Sequence, residues 1–236
     1  MGSWTQEVFM RLTQASSLEA AFEQIDIGAR ELGFECCAYG LRLPSSFTRP
    51  KTLIFSSYPR SWRKRYAEAG YVGVDPSVAH GVRSLHPLVW NDALFRSAPQ
   101  MWDEARSFGL RVGWAQSCFD AQGRVGMLSL SRSCDRLGKT ELLAHDPQLR
   151  WLVNTAHLAI TAHLGEHEGP GIEPLTRRQA EVLRWTADGK TSEEIAQILS
   201  ITARTVNFHI ANAIANLRVN NRNSAIARSS RLGLLN

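Results

Sequence analysis

Residues 165–174 read GEHEGPGIEP. Gly and Pro are the strongest punctuators of local structure, and nothing in this stretch has apolar periodicity. The break constrains the chain more than any other feature, because the charge changes across it. Residues 1–172 hold 18 Lys/Arg against 17 Asp/Glu, a net of +1. Residues 173–236 hold 9 against 5, a net of +4. The total of +5 therefore sits almost wholly in the last quarter of a 236-residue chain. A compact basic module joined to a nearly neutral body predicts a polyanionic partner for that module alone. The length allows two domains of ordinary size. We expect a domain over 1–165, a linker over 166–174 and a second domain over 175–236.

The basic module reads as four helices. Leu175, Ala180, Leu183 and Trp185–Ala187 recur at helical spacing, and Gly189 is placed as a terminator. Thr191 with Glu194 has the S/T-x-x-E spacing of a capping box, and Ile195, Ala196, Ile198 and Leu199 form the next apolar stripe. Ser200-Ile201-Thr202 is a short turn. A third helix from about Ala203 buries Val206, Ile210, Ala213, Ile214 and Leu217, and a fourth starts near Asn223. A short helix, a three-residue turn and an amphipathic helix make a helix-turn-helix, whose second helix enters the major groove of DNA. The outward residues of that helix are Arg204, Thr205, Asn207, Phe208, Ala211 and Asn212. Asn pairs bidentately with adenine, while Arg binds guanine or phosphate. Lys190 and Thr191, at the preceding helix N-terminus, suit phosphate. Thr202 and His209 complete the candidate DNA-facing set.

The segment LTRRQAEVLRWTADGKTSEEIAQILSITARTVNFHIANAIANL resembles the DNA-binding domain of the LuxR family. The elements V-L, W, G-K-T, E-I-A, L-S-I, R-T-V and H stand in the family's order. Two positions depart from it: Gln179 stands where Glu is common, and Ala211 where several relatives carry a longer polar residue.

The first domain mixes element types. Ser16-Ser17-Leu18-Glu19 reads as a capping box ahead of a helix running to Gly33. Strand candidates are 34–43, 51–57, 87–90, 112–119 and 125–131, the last two joined by the turn Asp120–Gly123. Helices are expected over 59–69, from Asp75-Pro76, over 100–108 and over 142–164, the last locally interrupted at Pro147. This order predicts an α+β fold: an α/β/α sandwich on a mostly antiparallel sheet, with an all-α four-helix domain behind it. A phosphoacceptor receiver does not fit, because the domain ends in a hairpin rather than in alternating βα units. Enzyme chemistry has no foothold either: there is no Gly-rich phosphate loop, no nucleophile elbow and no histidine at ligand spacing. Cys36 and Cys37 read as small buried hydrophobes, and the absence of C-x-x-C argues against zinc or a redox pair. No cofactor is expected.

Scattered polar and aromatic residues stand out: Tyr58, Trp62, Tyr66, Asp75 and Trp90. On spacing alone they read as an aromatic core or as a pocket with polar handles. The segment SYPRSWRKRYAEAGYVGVDPSVAHG, followed by PLVWND, FGLRVGWAQS and GMLSLSRS, resembles the signal-binding domain of LuxR-type acyl-homoserine-lactone receptors. That resemblance implies roles. Trp62 donates to the lactone carbonyl, Asp75 accepts the amide N–H, and Tyr58 with Ser129 donates to the amide carbonyl. Trp90 and Tyr66 wall the headgroup. Small Ala38 and Gly40 leave room for an acyl tail, and Arg42 orders water near a 3-substituent. Ile54, Val78, Leu110, Ala115 and Met127 are further pocket candidates. The resemblance also implies a homodimer on palindromic promoter DNA, in contact with RNA polymerase. The alternative is a ligand-independent regulator of the same family that keeps the sensor fold.

No run approaches the ~18–20 apolar residues of a membrane span. The N-terminus lacks the apolar run of a signal peptide, and Gln6 stands where myristoylation needs Ser or Thr. A cytoplasmic protein without a membrane partner is expected.

Overall fold

The structure, a computed structural model, describes residues 2–44, 51–164 and 173–235. Two compact units result, with bodies formed by segments 2–43, 51–119 and 124–164 and by segment 173–235. Of the expected linker, residues 166–172 lie outside the described residues.

The first unit opens with α1 (Gly2–Thr13), a helix the sequence reading did not anticipate, and α2 (Leu18–Glu31). Ser17, in extended backbone, caps α2 by accepting the Ala20 N–H. The residue three places after this cap is Ala20, so the expected box with Glu19 does not form. Gly33, at φ +85°, lets the chain leave the helix for the sheet.

Five strands follow, β1 (Cys36–Arg42), β2 (Thr52–Ser56), β3 (Leu88–Val89), β4 (Val112–Phe119) and β5 (Val125–Arg132). They lie in the order β2-β1-β5-β4-β3, every pair antiparallel. The expected sandwich is therefore present, with helices on both sides of an antiparallel sheet. Residues facing each other across an antiparallel pair share a face. Cys37, Tyr39 and Leu41 of β1, Trp114 and Cys118 of β4, and Leu128 and Leu130 of β5 are buried on one face. There they join Ala21 and Ile25 of α2 and the long helix α6 (Lys139–Ala162) in the main core. The opposite face is roofed by α3 (Arg60–Glu68), α4 (Pro76–Gly81) and α5 (Pro99–Ser107) around a separate aromatic cluster.

Helix α6 runs unbroken through Pro147, where an interruption was expected. Proline removes a bond to the carbonyl four residues back. That residue is Leu143, 77% exposed, so the released carbonyl faces water. The turns that carry packing, from Leu149 to Ile160, lie beyond it.

The cysteines divide. Cys37 and Cys118 are buried, Cys36 is half-buried on the opposite face, and Cys134 is exposed. Cys36 thus departs from the expected core placement, because strand alternation sends it away from its neighbour.

The second unit comprises α7 (Arg177–Ala187), α8 (Ser192–Leu199), α9 (Ala203–Asn216) and α10 (Arg222–Arg231). Each start is capped. Thr176 with Gln179 and Thr191 with Glu194 form reciprocal capping boxes, and Thr202 and Asn221 cap α9 and α10. Each such cap stabilises its helix by about 1 kcal/mol. Val182, Ile195, Val206 and Ile210 form one buried cluster; Leu183, Ala213, Leu217 and Ala225 form another.

Two glycines of the central strands, on opposite faces of the sheet, differ in the room around them. A Cβ at Gly126 would collide with the Tyr39 hydroxyl and His157 Nδ1, which bond each other at 2.7 Å. A Cβ at Gly40, on the other face, would meet no atom within 4 Å. Gly126→Ala should therefore cost about 1–3 kcal/mol through overpacking, lowering the melting temperature by several degrees, while Gly40→Ala leaves it within about a degree. Equal melting curves for the two variants would contradict this division.

Candidate functional site

The roofed face of the sheet is built in rows. One runs Ser56–Ala38–Ser129–Ala115–Leu88, and the next Ile54–Gly40–Met127–Ser117. A third pairs Cys36 with Ser131 and Ser131 with Gly113. Most of these side chains are small, so the floor lies low. Ala38, Gly40, Arg42, Ser129, Ala115 and Met127 all fall on this face, as expected from alternation. Ile54 joins them at the edge strand, where it is 56% exposed. Arg42 is half-buried, with no hydrogen-bond or ion-pair partner among the described residues.

The roof carries the aromatic residues. Trp62 and Tyr66, four apart on α3, point the same way and meet edge-on at 5.6 Å. Trp62 is 4% exposed and also contacts Tyr71 and Phe108. Leu110, 3% exposed, belongs to the same cluster. Trp90 lies over Gly113, whose missing Cβ leaves room for the indole, and the Trp90 backbone N–H donates to the Gly113 carbonyl at 2.8 Å. Phe95 and Trp102 stack at 4.4 Å and meet Trp90 edge-on. Helix α4, bearing half-buried Val78, crosses the sheet at Gly81, directly above Ser117 and the Met127 sulfur.

Asp75 caps α4. Its Oδ1 accepts the Ser77 N–H at 2.8 Å and the Ser77 hydroxyl at 2.6 Å. Its Oδ2 accepts the Tyr66 hydroxyl at 3.0 Å. Tyr66, expected only as a wall, thus also orients the carboxylate. Burial, then the Asp75 charge, pushes the Tyr66 phenol far up, so it stays a donor. A carboxylate offers about four lone-pair sites; three are used, and Oδ2 keeps one.

Among the described residues, three buried polar atoms near one row have no hydrogen-bond partner: the Tyr58 hydroxyl, the Ser131 hydroxyl and Trp90 Nε1. Burial drives the Tyr58 phenol well above its ordinary range, and the nearby Ser131 hydroxyl opposes this. Buried polar groups are nearly always paired, so these three atoms together are candidate donors to an outside acceptor. Ser131 escaped the sequence reading. The signal was present in Leu128-Ser129-Leu130-Ser131, because alternation puts both serines on one face.

Arg65 ties the roof together. Its Nε and Nη2 donate to Glu104 of α5 at 2.7 and 2.8 Å, and its guanidinium lies over the Tyr71 ring. Nothing in the sequence pointed to this pair, which joins residues 39 apart.

In the second unit, Ser200 takes the left-handed conformation at φ +53° and closes α8, and Thr202 opens α9. Arg204, Asn207, Phe208 and Ala211 of α9 are exposed; Thr205, His209 and Asn212 are half-buried. Thr202, also exposed, accepts the Thr205 N–H and shares a hydrogen bond with its hydroxyl. Asn207 Oδ1 accepts the Ser192 hydroxyl at 2.8 Å, which fixes the amide and leaves its Nδ2 outward. Lys190 lies 3.7 Å from Glu194, and Arg222 donates to Thr186 and to the Lys190 carbonyl. A shallow cleft of about 440 Å³ is lined by Lys190, Thr191, Ser192, Asn207, Arg222 and Asn223. Gln179, the departure from the family pattern, is buried; its Oε1 accepts from the Thr176 N–H and from Asn216 Nδ2.

An aromatic cluster roofing an antiparallel sheet, followed by a helix-turn-helix, is the arrangement of a regulator of transcription with a separate sensing domain. Comparison with known proteins agrees. Residues 17–160 match the family described as "Autoinducer binding domain", and residues 173–229 match "Bacterial regulatory proteins, luxR family". The transcriptional activator protein AnoR of Acinetobacter nosocomialis is 45% identical over 238 residues, covering 100% of both chains. The quorum-sensing regulator RhlR of Pseudomonas aeruginosa is 36% identical, covering 92% of this chain and 90% of its own. The crystal structure of Escherichia coli SdiA superposes with a TM-score of 0.83 at 32% identity, over 99% of this chain and 98% of that one. The chain belongs to the LuxR family of quorum-sensing transcription regulators, with an autoinducer-binding domain and a helix-turn-helix DNA-binding domain. The family's members are regulators rather than enzymes. Among the described residues, no helix is long and apolar enough to cross a membrane.

The Arg65–Glu104 pair gives the roof a pH dependence with a definite sign. Hydrogen bonding from Arg65 holds the Glu104 carboxyl down at about 2. A depressed carboxyl stabilises the fold above its unfolded value of about 4.5 and loses that contribution as pH falls toward 2. Between these limits the wild type should lose more thermal stability than Glu104→Gln, which carries no titrating group there. Parallel melting-temperature profiles over that window would contradict the linkage.

Proposed function

We propose that the roofed pocket takes an acyl-homoserine lactone and that the protein, as a homodimer, binds a palindromic promoter site through α9. The observation that carries this reading is the set of orphan donors at Tyr58, Ser131 and Trp90 beside a carboxylate with one free acceptor site. An acyl-homoserine lactone offers the complement: two carbonyl acceptors and one amide N–H. Trp62 donates to the lactone carbonyl, since an indole N–H only donates. Asp75 Oδ2 accepts the amide N–H. Tyr58 and Ser129 donate to the amide carbonyl, with Ser131 close behind. Trp90 and Tyr66 enclose the headgroup. The tail follows Ala38 and Gly40, with Ile54, Val78, Leu110, Ala115 and Met127 as walls, and Arg42 orders water near a 3-substituent.

On this reading residues 1–165 sense, 166–174 link and 175–236 bind DNA. A ligand that binds only the folded state stabilises it by ~2.7 kcal/mol at a hundredfold excess over Kd. If the dimer is the ligand-favouring state, signal and DNA each raise affinity for the other. Lys190, Thr191, Thr202 and Arg204 hold phosphates; Thr205, Asn207, Phe208, His209, Ala211 and Asn212 face the groove. The protein acts in the cytoplasm, contacts RNA polymerase and needs no cofactor. Purification with and without lactone separates this reading from a ligand-independent regulator: yield of soluble protein depends on lactone only in the first.

Asp75→Asn removes the charged acceptor while keeping size. Charge-assisted hydrogen bonds contribute about 1.5–3 kcal/mol, so at least a tenfold loss of lactone sensitivity is expected in a promoter reporter. An unchanged dose response would remove Asp75 from the site. On the DNA side, Arg204→Ala should weaken binding to all duplexes and flatten the salt slope. Asn207→Ala should instead change base preference, because a bidentate contact discriminates by ~1–3 kcal/mol. Uniform weakening by Asn207→Ala in a binding-selection experiment would assign it to the backbone.

A further inference from the structure

Phe208 is 60% exposed on α9, directly opposite the stripe formed by Val206, Ile210 and Ala213. No packing within its unit accounts for it. Helix propensity does not account for it either: an exposed helical position is better served by Ala, Lys, Glu or Gln than by an aromatic residue that loses rotamer freedom. The ring is nevertheless placed. His209 meets it edge-on at 5.8 Å. The next exposed residue along the helix is Ala211, which adds only a methyl group. Of the polar residues flanking them, Asn207 is held through Oδ1 by the Ser192 hydroxyl, and Asn212 is half-buried. The centre of the outward face of α9 is therefore an apolar step, Phe208–Ala211, with the charge of Arg204 one turn before it.

We propose that Phe208, with Ala211, reads the 5-methyl group of thymine in the major groove. The inference rests on the DNA-binding reading above and specifies which base feature this helix recognises. The charge balance commits the face to DNA, since it belongs to the segment of net +4 and Arg204 flanks the step. Within the major groove the thymine methyl is the one apolar group that base edges present, and Ala and Phe are side chains that contact it. An aromatic edge beside a small methyl forms a shallow notch that receives that group and leaves no hydrogen-bonding atom unpaired. A cytosine at the same place presents only C5–H to the notch and leaves it unfilled.

The test uses the full chain, expressed with N-octanoyl-homoserine lactone, to select duplexes from a random pool. Each thymine of the selected site is then replaced by uracil, which removes only the methyl. Wild-type affinity should fall roughly three- to fivefold at one or two positions per half-site, the worth of one buried methyl. Phe208→Ala, whose fold is checked by circular dichroism, should bind more weakly and lose the uracil penalty at those positions. 5-Methylcytosine, paired with guanine at the same step, should recover part of the wild-type affinity relative to cytosine. Uracil without effect at every position overturns the proposal. So does a Phe208→Ala variant that keeps the full uracil penalty, or one that keeps wild-type DNA affinity while losing dimerisation or transcription, which would assign the ring to a protein partner. Failure of the wild type to select any duplex overturns the DNA-binding reading itself, and is told apart because no site then exists in which to place uracil.

Discussion

The register of β1 against β5 is the constraint on which the first unit depends. Pairing Ala38 with Ser129 and Tyr39 with Leu128 puts Tyr39, Leu41, Leu128 and Leu130 toward α2 and α6. It puts Ala38, Gly40, Ser129 and Ser131, together with Met127, toward the aromatic roof. A slip of one residue would exchange the faces, burying Ser129 and Gly40 in the main core and driving Tyr39 and Leu128 into the pocket. The Tyr39–His157 bond helps to hold this register. It closes at 2.7 Å across Gly126, the position in β5 where a side chain would block it.

That arrangement separates stability from recognition. One face is a closed apolar core, and the other keeps a low floor and, among the described residues, four buried donors without partners, on Tyr58, Ser117, Ser131 and Trp90. A donor left unpaired in a buried place costs about 1–3 kcal/mol. Such groups make the roofed side the weaker half of the unit, held instead by aromatic edges and by the bidentate Arg65–Glu104 pair between α3 and α5. A ligand that supplies acceptors stabilises the fold most where it is weakest. On the proposed reading, folding of this unit then depends on ligand without any change in topology.

Much of this was legible in the sequence. The helix-turn-helix could be read to the residue at Thr191 and Glu194, because capping is local chemistry with fixed spacing. The pairing of β4 with β5 was legible from the turn at 120–123. Positions whose role depends on distant partners were not. Ser131 acquires meaning only when the register brings it near Tyr58, and Arg65 only when α5 packs beside α3. Pro147 was misjudged for a related reason: whether proline breaks a helix depends on whether the abandoned carbonyl can reach water, a property of the surface rather than of the segment. Helix α1 was missed because GSWTQEVFMRLT has no cap signal, and its burial of Val8 and Leu12 comes from contact with the rest of the core.

The two units also differ in what signal could change within them. The DNA-binding unit has two closed clusters, a cap at every helix start, and an internal hydrogen bond from Arg222 that ties the end of α7 to Lys190. On the proposed reading, a lactone acts on DNA binding through the first unit, by the amount of folded protein and by holding two helix-turn-helices together. Linking two modest binding modules raises avidity by 10²–10⁴-fold without any new contact. On the proposed reading, a stable reading head with a conditionally stable sensor makes the number of paired heads, rather than the shape of each one, the quantity that signal controls.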